Sequence, residues 1–274
     1  MPESGAPYFQ RLFSLSGRTA LITGAGRGVG FAFARALANA GADIVLVLHP
    51  SEDDGAAGQL RSIGVKAYTF RADLSDREQV RNLFPRVWEA GIVVDIFINN
   101  AGIAHREPIL SYPEDKWYDI IQVNLSAGFV LGQAFARDVV RRKASGKIIN
   151  TSSVGGFLAS KNTVAYTAAK HGINALTKSF STEFAGLGIN VNAIAPGYTI
   201  TELTRNNLEK NGGDFLKRIP IGRFAETSDL EGAALFLASP ASDYISGQVL
   251  AVDGGRIVSD FEADLVTVDA GQRP

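Results

Sequence analysis

Residues 19–30 read TALITGAGRGVG, so a short apolar run is followed directly by a cluster of glycines. The run over 19–22 has the composition of a strand that is buried on both faces. Glycines permit a tight turn and a close approach of the backbone to a phosphate, and no Gly-Lys-Ser/Thr follows as it would in a Walker loop. Residues 31–40 are predicted to form a helix that Gly41 ends. The strand, the turn and the positive end of the helix together predict a dinucleotide-binding unit.

The rest of the chain repeats this alternation of strands and helices, and no linker interrupts it. Further apolar runs predict strands at 44–48, 66–70, 95–98, 147–150, 189–195 and 248–252. Amphipathic stretches predict helices at 51–63, 75–90, 114–143, 165–186 and 228–238. Strand runs without polar alternation are typical of a parallel sheet covered on both faces. The sequence therefore predicts an α/β fold, a Rossmann-type doubly wound parallel sheet that forms a single domain over residues 17–256.

Three segments lie outside this alternation. Residues 1–16 and 257–274 are expected to be an N-terminal and a C-terminal extension. The acidic C-terminal segment is predicted to be solvated, and packing on a neighbouring subunit is the alternative. Residues 199–220 are polar and form the longest stretch without a predicted element, so we expect a loop that acts as a substrate lid there.

Composition argues against several classes of function. The 274 residues include 27 basic and 28 acidic side chains, and the net charge of −1 predicts no nucleic acid partner and no membrane partner. Cysteine is absent and the three histidines lie far apart in the sequence, so no metal site is expected. No apolar run reaches the ~18 residues of a membrane span, and no signal-peptide core is recognised. A cytoplasmic location is therefore expected.

Four motifs along the chain resemble those of the short-chain dehydrogenase/reductase family. The glycines of 23–30 have the spacing Thr-Gly-x-x-x-Gly-x-Gly, and residues 99–102 read Asn-Asn-Ala-Gly. Residues 166–170 match Tyr-x-x-x-Lys, and Pro-Gly ends the sixth predicted strand at 196–197. The resemblance covers about residues 17–256. It implies an NAD(P)-dependent oxidoreductase that acts on CH–OH groups.

Tyr166 is the predicted acid and base of this reaction. A phenol has a pKa near ~10 and is by itself a poor base at neutral pH. Lys170 lies one helical turn further on the same face, where its ammonium group would favour the phenolate and lower the pKa of Tyr166. The resemblance implies that Lys170 also hydrogen-bonds the nicotinamide ribose. An exposed helix face is the alternative interpretation, and the convergence of this pair with the glycine-rich turn favours catalysis.

Ser153 and Asn124 complete the predicted catalytic set. Ser153 lies thirteen residues before Tyr166, the separation that the family uses, and its hydroxyl is suited to polarise a carbonyl oxygen. Ser152 is the competing candidate. The resemblance implies that Asn124 distorts a helix and holds a water that links Lys170 to solvent, whereas a polar surface position is the alternative.

The resemblance also implies which residues bind the cofactor. An aspartate after the third strand is expected near the adenine, and two threonines after the sixth strand are expected to face the nicotinamide carboxamide. The expected cofactor-binding set is Gly24, Arg27, Gly28, Val29, Gly30, His49, Asp73, Leu74, Asn100, Ala101, Gly102, Tyr166, Lys170, Pro196, Gly197, Thr199 and Thr201.

The preferred cofactor is predicted from the end of the second strand. NAD-dependent enzymes of this architecture place an acidic residue there, which binds the ribose 2′-hydroxyl. Leu48 occupies that position in this chain, and Arg27 supplies a positive charge in the glycine-rich turn. The local charge therefore predicts NADP(H). NAD(H) stays the alternative, because Glu52 is close in the sequence.

The predicted substrate is a small-molecule ketone or secondary alcohol, with sugar acids and polyols as one candidate class. Residues 192–198 and 219–223 are similar to sugar-acid dehydrogenases, and also to 3-oxoacyl-(acyl-carrier-protein) reductases. A biosynthetic ketoreductase for a bulkier or acyl-type ketone is therefore an alternative, and a non-catalytic nucleotide-binding scaffold is an alternative of another class. An enoyl reductase is disfavoured, because those relatives have a longer Tyr–Lys spacing.

His105 and Arg106 are expected at the mouth of the substrate pocket. Arg106 is suited to pair with a substrate carboxylate, and a solvated surface arginine is the alternative. The resemblance also implies a homotetramer, or a homodimer, in which the helices over 114–143 and 165–186 supply one paired face.

Overall fold

A computed structural model describes residues 7–259 of the chain. Within them one sheet holds seven parallel strands in the order β3-β2-β1-β4-β5-β6-β7. The strands are β1 (Thr19–Thr23), β2 (Asp43–Leu48), β3 (Ala67–Arg71), β4 (Ile96–Asn99), β5 (Gly146–Thr151), β6 (Ile189–Pro196) and β7 (Val249–Val252). Every strand lies within one residue of its predicted bounds. The predicted doubly wound parallel sheet is confirmed.

The described residues contain nine α-helices, and those that follow the strands cover both faces of the sheet. The helices are α1 (Tyr8–Phe13), α2 (Gly28–Asn39), α3 (Gly55–Ile63), α4 (Arg77–Glu89), α5 (Glu114–Ile121), α6 (Ala127–Arg141), α7 (Val164–Phe184), α8 (Glu202–Leu216) and α9 (Glu231–Ala238).

The core has one hydrophobic layer on each face of the sheet. Ile22 of β1 belongs to the layer that contains Phe33 and Leu37 of α2. Its neighbour Leu21 belongs to the opposite layer, which contains Phe84 of α4. Successive strand side chains point to opposite faces, so a strand with helices on both sides is apolar at every position. This packing explains the uninterrupted apolar runs of the sequence.

The strand order reverses beside β1, which pairs with β2 on one side and with β4 on the other. The helices that follow β1 and β4 pack on opposite faces of the sheet. A crevice forms at such a switch point, outside the carboxyl ends of the strands. Gly24 follows β1 and Asn100 follows β4, so both residues lie at this crevice.

Residues 199–220, which the sequence predicts as a loop, contain the helix α8. The loop prediction is wrong, because the helix begins with a cap that depends on side-chain geometry. Thr201 Oγ1 accepts a hydrogen bond from the Thr204 N–H at 3.2 Å, and Thr204 Oγ1 accepts one from the Thr201 N–H at 2.9 Å. This capping box stabilises a helix whose polar composition and two adjacent glycines give it a low intrinsic propensity.

Several helices differ from their predicted bounds, and three of the differences concern the site or its surroundings. The helix predicted over 114–143 is interrupted by a π-helix, Gln122–Ser126, which separates α5 from α6. The helix predicted over 51–63 begins only at Gly55, because its first residues form a turn. In contrast, α2 already begins at Gly28, so the last glycines of the turn belong to the helix.

The terminal extensions are described only in part. Leu15, near the end of the predicted N-terminal extension, is buried, and its N–H donates to the Ala40 carbonyl oxygen at 2.8 Å. The core therefore begins before residue 17. The acidic C-terminal segment from residue 260 onwards lies outside the described residues. Among the helices of the described part, none is long and apolar enough to cross a membrane.

Candidate active site

The glycine-rich loop, residues 24–30, joins β1 to α2 at the crevice. Gly24 and Gly28 have φ angles of 63° and 56°, a left-handed backbone that favours glycine. A Cβ at Gly30 would lie 2.1 Å from the Gly24 carbonyl oxygen, so only glycine permits this close packing of turn and helix. The side chain of Arg27 does not cap α2, which leaves the helix N–H groups available to a phosphate. The loop therefore fits a dinucleotide pyrophosphate.

Asn100 ties the glycine-rich loop to the end of β4. Its Nδ2 donates to the carbonyl oxygens of Thr23 and Gly24 at 2.9 and 3.2 Å. Thr23 Oγ1 in turn accepts from the N–H groups of Asn100 and Ala101 at 2.9 and 3.0 Å. The predicted cofactor residues that follow β4 are thus held beside those that follow β1. Gly102, next along the chain, faces the Asn124 side chain.

Lys170 lies on α7 with its side chain against β5. The residue is 4% exposed, and Nζ donates to the Thr151 carbonyl oxygen at 2.7 Å. Nζ also lies 5.6 Å from the centre of the Tyr166 ring, one turn earlier on the helix. Burial disfavours the ammonium form and lowers the pKa of Lys170 to about 8. The structure therefore brings the predicted Tyr166–Lys170 pair together on a buried helix face, and the alternative of an exposed face is excluded.

Tyr166 is half-buried, and its surroundings shift the pKa of its phenol in both directions. Burial raises the pKa of Tyr166 above its usual value, because the phenolate loses hydration. The Ser153 side chain and the positive charge of Arg106 both lower the pKa of the phenol. Burial outweighs both effects, so the pKa of Tyr166 stays raised, and the charge that acts on the phenol is that of Arg106 rather than the expected one of Lys170.

The two adjacent serines have different surroundings. Ser152 is buried, and its Oγ donates to Asn174 Oδ1, so its proton is already committed. Ser153 is half-buried, and its Oγ accepts from the Gly155 N–H at 3.0 Å. That bond leaves the Ser153 proton free for the Tyr166 phenol or for a substrate oxygen. The geometry favours Ser153 over Ser152 as the predicted catalytic serine.

Asn124 lies in the π-helix between α5 and α6. Its Oδ1 accepts from the Ile103 N–H at 2.8 Å, and its Nδ2 donates to the Ile103 carbonyl oxygen at 2.9 Å. The side chain is buried, so the alternative of a polar surface position is excluded. These two bonds hold the chain segment that follows β4, next to Gly102.

The predicted cofactor residues that follow the outer strands are already hydrogen-bonded. Asp73 Oδ1 accepts from the N–H and the Oγ of Ser75 at 2.9 and 2.7 Å, in the turn before α4. Leu74 is buried. His49 Nδ1 lies 2.7 Å from Ser51 Oγ in the exposed turn after β2. These side chains are thus ordered by the turns that carry them.

The predicted residues after β6 lead into α8. Pro196 ends β6, and a Cβ at Gly197 would lie 2.7 Å from the Cα of Asp253. Thr199 Oγ1 donates to the Gly197 carbonyl oxygen at 3.2 Å. Thr201 uses its hydroxyl in the cap of α8, and its methyl carbon would be 3.6 Å from a Cβ at Gly28. The start of α8 therefore lies against the glycine-rich loop.

Glu52, which is close to β2 in the sequence, reaches the end of that strand in the structure. Its Oε2 accepts from the His49 N–H at 3.0 Å, directly after β2, and its Oε1 lies 3.5 Å from Arg27 Nε. The prediction that no carboxylate stands at the end of β2 is wrong, because the turn after Leu48 folds back. Arg27 also pairs with Glu202 of α8 at 2.9 Å. The only sequence signal was a glutamate four residues beyond the strand.

Comparison with known proteins confirms the class of protein that the fold and the site define, an oxidoreductase with a doubly wound sheet. Residues 24–256 match a family model described as enoyl-(acyl carrier protein) reductase. A short-chain type dehydrogenase/reductase from Mycobacterium marinum has a similar structure, with a TM-score of 0.86, 34% identity and coverage of 90% of this chain and 98% of that chain. The chain belongs to the short-chain dehydrogenase/reductase family and is an oxidoreductase.

Two similar proteins have names that specify a substrate. The 2-dehydro-3-deoxy-D-gluconate 5-dehydrogenase of Bacillus subtilis is 44% identical over 90% of this chain and 98% of its own length. A gluconate 5-dehydrogenase from Burkholderia cenocepacia, solved in complex with NADP and tartrate, has a TM-score of 0.85 and 39% identity, and covers 91% of this chain and 99% of that chain. Both relatives are named as dehydrogenases of sugar acids.

Proposed function

We propose that the protein transfers a hydride between NADP(H) and a secondary hydroxyl or ketone group of a sugar acid, in the cytoplasm. The named sugar-acid dehydrogenases support the substrate class. The enoyl reduction in the description of the family model is not proposed, because Lys170 follows Tyr166 by only four residues. The single observation that carries the proposed chemistry is buried Lys170, whose Nζ lies 5.6 Å from the centre of the Tyr166 ring.

The proposed reduction moves one proton and one hydride. Bound nicotinamide supplies the hydride, and Tyr166 donates the proton to the carbonyl oxygen. Ser153 donates a hydrogen bond to the same oxygen, where negative charge develops. The ammonium group of Lys170 favours the phenolate that remains on Tyr166. Oxidation uses the same groups in reverse.

Lys170 has donors left over for the cofactor and for a proton relay. An ammonium group has three N–H donors, and the Thr151 carbonyl oxygen occupies one of them. We assign the others to the nicotinamide ribose and to a relay water. Asn124 supports this arrangement through its two bonds to Ile103. The glycine-rich loop would hold the pyrophosphate, with Asn100 as its support.

Arg106 is proposed to bind the substrate carboxylate. Its side chain is exposed, and it has no ion-pair partner within the part of the chain that the structure describes. Its positive charge lowers the pKa of Tyr166, and we place the guanidinium group on the substrate side of the reacting oxygen. A guanidinium group binds a carboxylate through two parallel hydrogen bonds. A sugar acid carries this carboxylate, whereas a neutral polyol does not.

The proposed role of Arg106 is tested by the choice between D-gluconate and D-glucitol, which has a hydroxymethyl group in place of the carboxylate. In Arg106→Met, the ratio of kcat/KM for D-gluconate over D-glucitol with NADP+ should fall about tenfold or more. Arg106→Lys keeps the charge and should retain part of the ratio. An equal loss of kcat/KM on both substrates would contradict carboxylate binding. An enzyme that reduces only the ketone of 3-oxoacyl thioesters would favour the acyl ketoreductase alternative.

NADP(H) is proposed as the preferred cofactor. The relative from Burkholderia cenocepacia was solved with NADP, and Arg27 lies in the glycine-rich loop, where it can meet a 2′-phosphate. Glu52 and Glu202 hold Arg27 in this structure. Phosphate binding would exchange these carboxylates for a more highly charged partner. NAD(H) remains the alternative that Glu52 supports, because a carboxylate can accept from a ribose hydroxyl.

A homotetramer is proposed as the assembled state, with a homodimer as the alternative. Phe129 and Val140 of α6 are large apolar side chains that stay exposed on this chain. Phe129 also packs on the buried Phe180 of α7, which holds the two helices together beneath this surface. Light scattering should give about four times the 29.2 kDa chain mass. A monomer mass would contradict both assemblies.

A further inference from the structure

Four polar or ionisable positions, three of them buried, follow one face of α7. After Tyr166 and Lys170 come Asn174 and Thr177, and the spacing of four, four and three residues keeps them in one stripe. Asn174 and Thr177 are both buried. The stripe faces β5 and the segment that follows it, because Lys170 bonds Thr151 and Thr177 bonds Asn150.

Asn174 makes two hydrogen bonds that lie on either side of Ser153 in the sequence. Its Oδ1 accepts from Ser152 Oγ at 2.5 Å, and its Nδ2 donates to the Gly156 carbonyl oxygen at 2.8 Å. We name these two bonds the Asn174 clamp. The clamp joins the segment that carries Ser153 to the helix that carries Tyr166.

Close packing shows that the clamp leaves little freedom. A Cβ at Gly156 would lie 2.7 Å from Ser152 Oγ and 2.8 Å from Asn174 Nδ2. Only glycine at that position lets both partners of the clamp approach the backbone. Within this segment Ser153 Oγ accepts from the Gly155 N–H at 3.0 Å, so the position of Ser153 depends on the backbone that the clamp holds.

We propose that Asn174 is a positioning residue, which sets the distance between the Ser153 hydroxyl and the Tyr166 phenol. The inference rests on the catalytic roles proposed above for Ser153 and Tyr166. The Ser153 side chain lowers the pKa of Tyr166. Loss of the clamp therefore weakens two effects together, the stabilisation of the phenolate and the alignment of donors on the substrate oxygen.

The test compares Asn174→Leu, which keeps the side-chain size and removes both bonds, with the unmodified enzyme. We expect kcat to fall about ten- to hundredfold, while the Kd for NADPH changes less than about twofold. The midpoint of the pH profile of kcat for oxidation should move to higher pH, because the phenolate loses a hydrogen bond. Ser152→Ala removes one bond of the clamp and should have a smaller effect in the same direction.

Thr177→Val is the matched control. Thr177 is on the same face of α7 and is buried, and its Oγ1 bonds Asn150 and the Ile173 carbonyl oxygen, away from the Ser153 segment. This variant should lower the melting temperature much as Asn174→Leu does. Its kcat should remain within about twofold of the unmodified enzyme, and its pH midpoint should not move.

The kinetic measurements and the melting temperature together distinguish a positioning role of Asn174 from a purely structural one. If Asn174→Leu loses stability but keeps the kcat and the pH midpoint of Thr177→Val, the inference is overturned. If Asn174→Leu does not fold, an unchanged kcat and pH midpoint in Ser152→Ala overturn it instead. Full activity of Tyr166→Phe in the same assay would overturn the proposed function. If Tyr166→Phe loses activity but Asn174→Leu keeps it, only the inference about Asn174 is overturned.

Discussion

The interface between α7 and β5 and the ion-pair cluster around Arg27 hold their charged groups in opposite ways. At the interface Lys170 is 4% exposed and bonds a backbone carbonyl of β5. In the cluster the Arg27 side chain is 65% exposed and bonds only the side chains of Glu52 and Glu202 among the described residues. The partner of Lys170 is backbone of the sheet, so we call the α7–β5 interface the fixed region. The partners of Arg27 are flexible side chains, so we call the Arg27 cluster the adaptable region.

The difference has an energetic basis. A buried polar group that loses its partner carries the full cost of desolvation, about 1–3 kcal/mol, so buried bonds persist. An exposed ion pair contributes about 0–1 kcal/mol and can exchange one partner for another. The interface is therefore suited to fixed catalytic geometry, whereas the Arg27 cluster is suited to selecting between ligands.

Tyr166→Phe should have the largest effect, because it removes the proposed acid and base from the fixed region. We expect kcat to fall by a factor of about 10²–10⁴, with little change in the Kd for NADPH. Tyr118→Phe, on the exposed face of α5, is the control and should keep full activity. Steady-state kinetics and a fluorescence titration measure both quantities. A Tyr166→Phe enzyme with near-normal kcat would remove Tyr166 from the mechanism.

Lys170→Met should change how stability depends on pH in the cofactor-free protein. Burial lowers the pKa of Lys170 from 10.5 to about 8, so between these values the folded state has lost a proton that the unfolded chain keeps. Stability then rises with pH through this window, by up to about 3 kcal/mol. Denaturant unfolding at pH 7.5 to 10 should show this rise for the unmodified protein relative to Lys170→Met. Parallel curves would contradict a depressed pKa.

Arg27→Met tests the adaptable region. Removal of the cation should lower kcat/KM for NADPH about tenfold, because a charge-assisted bond to the 2′-phosphate is lost, and should affect NADH much less. Arg18→Met removes an arginine that pairs with Asp95 at the opposite end of the strands, and should leave both values unchanged. An equal loss with the two cofactors would show that Arg27 does not contact the phosphate.

Glu52→Gln should give the smallest effect, a severalfold increase in the preference for NADPH over NADH. The change removes a negative charge near the 2′ position and keeps an amide that can bond. Glu202→Gln is the matched control, because it also releases Arg27 from a carboxylate but lies on α8. If both variants shift the preference equally, release of Arg27 is the cause and Glu52 does not repel the phosphate itself.

The fixed region was the more predictable of the two. The strands were placed within one residue, because burial on both faces requires continuous apolar runs. The Tyr166–Lys170 pair was predicted from its helical spacing together with the glycine-rich loop and the resemblance to the family. The spacing from Tyr166 already favoured Ser153 over Ser152, but the hydrogen bond that occupies Ser152 comes from Asn174, more than twenty residues away in sequence.

The errors lie where side chains rather than periodicity decide the structure. The helix α8 has no strong apolar face, and its start depends on the reciprocal bonds of Thr201 and Thr204. Glu52 reaches the end of β2 because a turn folds back onto the His49 N–H. Neither feature has a periodic signal, so α8 was not predicted and Glu52 was recognised only as a residue close to β2 in the sequence.

The sequence by itself determined the sheet, the glycine-rich loop and the family of this oxidoreductase, because each depends on local periodicity or on a short motif. The tertiary structure alone decided which serine keeps a free proton, how far burial shifts the pKa of Lys170 and which carboxylates hold Arg27. These properties arise from contacts between residues that are distant in the chain, and desolvation and hydrogen bonding exist only once those residues are packed together.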